Sequence, residues 1–230
     1  GNYGAVFVNA YGYNSDFRKE RPIQFISRKK FISRKKFFHD TNDFIKKCFV
    51  RATFISSLII NKSVCQDLDA NTFVGTSLVQ TYLLYEAVIR QPRSVYVNEY
   101  LLAARRTEQK DYDVVGIFCG QFNRVLEAFV GRGLLPETLI VVNRKILWQF
   151  LPFHLLLLRA PGVPTSRAEE VYAELHARYS HEPLFWLFCA PILKLPSGLA
   201  RLWGYSAVAL SRLFIGEAGR LLVVVRTFFL

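Results

Sequence analysis

The spacing of apolar and polar positions predicts alternating strands and helices through the middle of the chain. Residues 53–60 are apolar and β-branched, and a second short strand is expected at 71–76, ending in Gly-Thr. From residue 80 to residue 90, apolar side chains recur at helical spacing until Pro92 follows. The pattern therefore predicts two neighbouring strands that lead into a helix.

The same alternation continues to residue 142. The remaining predicted segments are a strand at 94–97, a helix at 100–106, a strand at 112–119, a helix at 123–130 and a strand at 138–142. This order predicts an α/β fold in which a central mixed or partly parallel sheet carries flanking helices. We assign residues 53–142 to this domain.

Beyond the sheet domain, residues 143–230 are apolar and are predicted to be helical. Prolines interrupt two strongly apolar segments, 146–158 and 184–195, so neither is a clean membrane-spanning helix. Between them, a capping box at 166–169 predicts the start of a helix that reaches about residue 179. We expect this region to associate with a membrane or with a partner protein.

The segment 199–215 is predicted to be an amphipathic helix. Its apolar face comprises Leu199, Leu202, Trp203, Leu210, Leu213 and Phe214. Arg201 and Arg212 point away from that face, and we expect them to contact the headgroups of an anionic phospholipid such as cardiolipin, with Trp203 at the interface. The alternative is that the helix packs on the protein's own core.

Charge is distributed unevenly along the 230 residues, whose net charge is +12. Subtracting Asp and Glu from Lys and Arg gives +8 for residues 1–52, −1 for 53–141 and +5 for 142–230. Basic ends favour an anionic partner such as phospholipid or RNA, although a solubilising excess of charge is an alternative. We describe residues 1–52 as a basic N-terminal extension.

A tandem repeat lies within this extension. Residues 25–37 contain Phe-Ile-Ser-Arg-Lys-Lys twice, with a period too short for a solenoid unit. Apolar anchors that alternate with cations suit an anionic membrane surface, RNA, or a partner protein around which the extension wraps. The sequence leaves these alternatives open.

Motifs for catalysis and for metal binding are not found in the sequence. The cysteines are scattered and predict buried thiols in a reducing compartment, at Cys48, Cys65, Cys119 and Cys189. None of the four histidines stands at a ligand spacing from a suitable partner, and neither a phosphate-binding loop nor a serine nucleophile elbow occurs. We predict no cofactor and no metal, apart from bound phospholipid.

Three short motifs in residues 70–142 follow one plan. They are Gly-Thr-Ser-Leu ending at Leu78, Val-Tyr-Val-Asn ending at Asn98, and Phe-Cys-Gly-Gln ending at Gln121. This arrangement resembles the TraB, or pheromone-shutdown, family, in which the corresponding motifs end in His, Glu and His. Leucine cannot transfer a proton or bind a metal, and the two amides are neutral, so the resemblance implies a degenerate former site.

Together these features predict a non-catalytic structural protein. We expect an accessory subunit of a mitochondrial inner-membrane complex, most readily ATP synthase or a respiratory complex, whose other subunits and anionic lipid supply its partners. An RNA-binding accessory protein of the mitochondrial ribosome is the alternative. A metal-dependent TraB-like hydrolase is the third reading and needs ligands from elsewhere in the chain.

The expected location is the matrix-facing side of the mitochondrial inner membrane. The sequence contains no Met, so we expect that Gly1 is not the start of translation. Removal of a mitochondrial presequence would fit this beginning, and a fragmentary sequence would fit it equally well.

Overall fold

A computed structural model describes residues 2–13, 34–68, 71–105, 113–160 and 162–215. The chain divides after Val142 into two compact units. The first unit holds the described residues up to 142, and the second holds those from 143 onwards.

A four-stranded mixed sheet organises the first unit. Its strands are β1 (Ala5–Tyr13), β2 (Lys35–Phe38), β3 (Leu58–Ile60) and β4 (Ser94–Arg105). In the order β2-β4-β1-β3, the central pair β1 and β4 is parallel, while β2 and β3 pair antiparallel at the two edges. The predicted α/β class with a partly parallel sheet is therefore confirmed.

The central strand β1 lies in the segment that we expected to be an extension. Ala5 and Phe7 are buried, and the Phe7 ring stacks on that of Tyr96 in β4, with 4.9 Å between the centroids. The described part of residues 1–52 also supplies β2 and the first helix, so it belongs to the fold of the first unit. Val6, Phe7 and Val8 favour a strand locally, but only the pairing with β4, about 90 residues later, places this strand at the centre of the sheet.

The first unit also contains helices. They are α1 (Thr41–Cys48), α2 (Val79–Arg90), α3 (Phe122–Glu127) and α4 (Pro136–Lys145), with α4 crossing the division between the units. Of these, α1 and α2 contact the sheet. The predicted helices at 80–90 and 123–130 correspond to α2 and α3. The Tyr85 ring of α2 packs edge-on against Phe122 and Phe129, which fixes α2 to α3 and the turn after it.

Two of the predicted strands are helical instead. Residues 114–121 form helical turns that lead into α3, and the Asp113 carboxylate accepts a hydrogen bond from the Gly116 amide at their start. Residues 138–142 lie inside α4, which begins at Pro136 and carries basic residues in its last turn. These caps and the proline outweigh the β-branched residues of both segments.

Three further predicted segments differ from the structure. The segment 71–76 is not a strand but a short 3₁₀ turn, Asn71–Phe73, followed by Gly75 at φ 85°, a left-handed conformation typical of turns. Only the last three residues of 53–60 form a strand. Residues 100–105 continue β4 rather than forming a helix, because they pair with β1.

Helices alone build the described part of the second unit. They are α5 (Leu151–Leu157), α6 (Thr165–Tyr179), α7 (Ala190–Lys194) and α8 (Ser197–Ile215). The predicted helices ending near 179 and spanning 199–215 are present as α6 and α8. The capping box is wrong, because Ser166 lies inside α6 and the preceding Pro164 makes no side-chain cap.

Two π-helical turns in the second unit precede prolines. The turn Ile146–Phe150 leads into α5 at Pro152, and the turn Phe185–Cys189 leads into α7 at Pro191. A proline lacks the N–H group of a regular helix, and the wider turn accommodates this missing bond. The prolines therefore adjust two apolar helical segments without ending them.

Candidate docking surface

Helix α8 carries a continuous apolar surface that faces solvent. Six large side chains are exposed by 41 to 77 %, and we call them the α8 stripe: Leu199, Leu202, Trp203, Leu210, Leu213 and Phe214. Their spacing of three, four and seven residues places them on one side of the helix. These are the residues that the sequence pattern assigns to the apolar face.

The opposite side of α8 is buried and is formed by small residues. Ala200, Ala207, Val208 and Ser211 are almost fully buried, and a side chain at Gly204 would clash with Leu156 of α5. Small residues let α8 approach α5 closely, so this narrow face anchors the helix in the second unit. The small residues of α8 therefore pack against the core of the second unit, and its large apolar side chains remain exposed.

Neighbouring aromatic groups support the α8 stripe. The Trp203 indole N–H donates to the Leu187 carbonyl at 2.9 Å, which links the stripe to the turn before α7. Trp186 and Leu187 are themselves about half exposed. At the other end, the Phe214 ring meets Trp148 edge-on, with 6.3 Å between the centroids. The exposed apolar area therefore extends beyond the helix itself.

The charges of α8 lie outside this stripe. The helix contains Arg201 and Arg212 and no acidic residue. Both arginines are half buried, and the Arg201 guanidinium donates to the Arg159 carbonyl at 3.3 Å. Trp203 is exposed on the stripe, so of the three residues expected at a lipid headgroup only the indole stands on the apolar surface. Lipid contact by these residues remains a prediction.

A histidine with a lowered pKa lies on α5, the helix against which α8 packs. His154 of α5 packs between the rings of Phe150 and Phe153, at centroid distances of 4.4 and 5.5 Å. Burial, together with the positive charge of Arg212, lowers the pKa of His154 to about 4. The imidazole is therefore neutral at physiological pH.

The three positions of the degenerate former site lie in different segments of the first unit. Leu78 is buried directly before α2, and the Gln121 side chain accepts a hydrogen bond from the neighbouring Ser77 amide at 3.0 Å. Asn98 lies in β4 at a bulge, where its carbonyl accepts from the Asn9 side chain at 3.0 Å. Leu78 and Gln121 thus lie on neighbouring segments. Two hydrogen bonds of the Asn98 main chain instead join it to Asn9 of β1 and to Arg34 before β2.

Asn98 and Gln121 each make a hydrogen bond that supports the fold. The Asn98 amide donates to the Arg34 carbonyl at 2.8 Å, and the bulge shifts the register between Val8 and Asn9 of β1. Gln121 ties the end of a helical turn to the segment before α2. An apolar side chain and two neutral amides supply no general acid or base.

A buried carboxylate that the sequence analysis did not single out lies on α2. The Glu86 side chain is 3 % exposed, accepts a hydrogen bond from the Tyr82 hydroxyl at 3.0 Å, and pairs with Arg132 and Arg90. Arg90 also pairs with Asp67 at 2.7 Å. Burial and the bond to Glu86 raise the pKa of Tyr82. Because two guanidinium groups neutralise the carboxylate, this cluster fastens the loops around Asp67 and Arg132 to α2.

Thiols and acidic groups give no metal centre in the described ranges. Cys48, Cys119 and Cys189 are buried as expected, whereas Cys65 is half buried, and all four are free thiols. Within residues 2–13, 34–68, 71–105, 113–160 and 162–215, His, Cys, Asp and Glu form no group of three that could hold a metal ion. Over the same residues, no helix has the length and hydrophobicity needed to span a bilayer.

Comparison with known proteins adds no relative. No family model matches the chain, and no curated protein or solved structure is significantly similar to it. The resemblance of residues 70–142 to the TraB family remains a prediction that rests on three short motifs.

Proposed function

We propose that the protein is a non-catalytic structural subunit of a larger assembly and that the α8 stripe joins it to that assembly. The observation that carries this proposal is the exposure of six large apolar side chains on one side of a helix whose other side is already anchored. A surface that served only the fold of the second unit would be buried in it.

The size of the stripe supports a binding role. Taking each side chain's exposed fraction, the stripe offers roughly 700 Å² of surface, above the ~300–600 Å² of the largest apolar patch on a typical monomer. Covering this area would remove it from water at about 25 cal/mol per Å² before the costs of association. A permanent neighbour is therefore favoured over free exposure.

The proposed assembly is a mitochondrial inner-membrane complex, such as ATP synthase or a respiratory complex. Its support is the net charge of +12 and the apolar α8 stripe, which suit anionic lipid and apolar protein neighbours. The basic repeat that could serve RNA instead lies partly outside the described residues, which include only its end from residue 34. No described contact favours the ribosomal alternative or the hydrolase.

A double substitution tests the proposal. We expect Leu202→Glu with Leu210→Glu to release the tagged full chain from the large species seen on native gels after extraction in mild detergent. Two carboxylates on the stripe would oppose burial in any apolar contact. The matched control is Leu101→Glu, which charges a leucine of similar exposure, 62 %, in the first unit.

The control variant should stay with the assembly and the double variant should fractionate as a smaller species. Recovery of the unsubstituted chain as a free monomer under the same extraction would contradict the structural role. Retention of the double variant in the assembly would contradict the role of the α8 stripe.

A further inference from the structure

We propose that the neighbour on the α8 stripe is a second copy of this chain, whose α8 lies antiparallel to the first about a two-fold axis at Ser206. The inference rests on the proposed function, because it names the partner of the same docking surface. It derives from the order of residues along the stripe and from their exposure.

Apolar positions on α8 are symmetric about Ser206. Leu199 and Leu213 stand seven residues before and after it, and Leu202 and Leu210 stand four residues before and after it. All four leucines are exposed. In an antiparallel pair centred on Ser206, each leucine therefore faces a leucine of the other copy. A two-fold interface requires such a self-complementary surface.

In the same arrangement, the two aromatic residues of the stripe are level with small residues of the other copy. Trp203 lies three residues before Ser206, and the position three residues after it is Ala209. Phe214 lies eight residues after Ser206, and the position eight residues before it is Gly198, where a side chain would meet nothing within 4 Å. At 100° per residue these paired positions lie on opposite flanks of the stripe, so each ring is level with a small residue of the other copy rather than with a second ring.

Ser206 suits the centre of such an interface. It is exposed and small, so the two helices can approach closely there. Its hydroxyl already donates to the Leu202 carbonyl at 3.0 Å, and burial would not leave that donor unsatisfied. The only polar side chain along the middle of the stripe therefore does not oppose a dry contact.

Area and charge agree with a pair of copies. Roughly 700 Å² from each helix approaches the ~800 Å² per partner of a standard stable interface. The stripe contains no charged residue, and Arg201 and Arg212 lie on the half-buried flank, away from the facing helix. A flat bilayer surface would not require leucines placed symmetrically about Ser206, whereas a second copy of α8 would.

Cysteine cross-linking of the full chain tests the arrangement. We use a Cys65→Ser background, because Cys48, Cys119 and Cys189 are buried and Cys65 is half buried. In mild detergent at micromolar concentration, with dissolved oxygen as the oxidant that accepts the two electrons, the two thiols of Ser206→Cys should form a disulfide-linked dimer, because the two positions meet at the axis within reach of a disulfide. We expect at least ten-fold more dimer than from the background chain.

Leu199→Cys is the matched control on the same stripe. In the antiparallel pair its two copies lie fourteen residues apart along α8, about 21 Å, so it should remain monomeric. The double variant Leu199→Cys with Leu213→Cys should recover the dimer. Efficient cross-linking of Leu199→Cys alone would indicate parallel helices and overturn the arrangement.

Failure of the inference is distinguishable from failure of the proposed function. If Ser206→Cys stays monomeric while Leu202→Glu with Leu210→Glu still leaves the assembly, the stripe binds a bilayer, another protein or another part of this chain, and the second copy is excluded. If neither variant has an effect, both proposals are wrong.

Discussion

At the scale of single residues, the most consequential polar group is the Glu86 carboxylate. We expect Glu86→Gln to lower the free energy of unfolding by about 2 kcal/mol, because Arg132 and Arg90 lose their buried partner. The loss is smaller than for a fully buried pair, since Arg132 is 53 % and Arg90 37 % exposed and water can solvate both. Urea denaturation of the purified chain measures the change.

The exposed pair Arg34 and Glu99 is the control for Glu86. Their side chains are 85 % and 38 % exposed, so Glu99→Gln should change the free energy of unfolding by less than ~1 kcal/mol. Equal effects of the two substitutions would show that the Glu86 cluster contributes no more than a surface ion pair.

A second residue-scale prediction concerns His154 and pH. Its folded-state pKa of about 4 lies below the ordinary value of 6.5, so the unfolded chain binds the proton more tightly. The stabilising effect of the neutral imidazole is complete above pH 6.5 and is lost as the pH falls towards 4. We expect the second unit to lose roughly 3 kcal/mol of stability over this range.

The variant His154→Leu isolates that effect. It removes the titrating group while keeping an apolar side chain between Phe150 and Phe153. Relative to the urea midpoint of the unsubstituted protein, the midpoint of His154→Leu should rise as the pH is lowered from 6.5 to 4, so the two pH profiles should differ in slope over this range. Parallel pH profiles would contradict the assignment to His154.

At the scale of secondary-structure elements, close packing of α8 on α5 depends on Gly204. A methyl group there would overlap the Leu156 side chain, so Gly204→Ala should destabilise the second unit by about 1–3 kcal/mol despite the better helix propensity of alanine. Gly120→Ala is the control, because a side chain at Gly120 meets nothing within 4 Å. Thermal unfolding followed by circular dichroism should show the lower midpoint for Gly204→Ala; a higher one would contradict the packing.

Helices with a clear apolar spacing could be predicted from the sequence. Segments whose structure depends on residues far away in the chain could not. The apolar spacing of α2 and α8 gave both helices, and the stripe on α8 was identified residue by residue. Residues 138–142 are β-branched, yet Pro136 and the charges of the last turn make them part of α4. The second half of β4 is extended because it pairs with β1, and no pattern within residues 100–105 reports that pairing.

The same distinction applies to the candidate site. The periodicity of α8 predicts an apolar face, but it does not say which face the protein buries, and the structure buries the small residues instead. Glu86 was missed because its partner Arg132 is 46 residues away and the carboxylate stands in an ordinary helical pattern.

At the scale of the whole molecule, the first unit depends on its N-terminal strand. β1 lies between β4 and β3, so removal of residues 1–13 would separate both neighbours and expose the buried side of the sheet. We expect this truncation to abolish the slow hydrogen exchange of the α2 amides, because α2 packs on a sheet that no longer forms. Hydrogen exchange followed by mass spectrometry measures it in the full and truncated chains.

Point substitutions separate the loss of the β1 packing from the general effect of removing thirteen residues. Phe7 is 1 % exposed and stacks on Tyr96, so Phe7→Ala should lower the free energy of unfolding by about 3–5 kcal/mol. Ile59 lies on the neighbouring edge strand and is 58 % exposed, so Ile59→Ala should change it by less than ~1 kcal/mol. Two results together would contradict the central position of β1: slow hydrogen exchange in α2 of the truncated chain, and an effect of Phe7→Ala as small as that of Ile59→Ala. Residues 1–13 would then be an extension, because a sheet cannot form without its central strand.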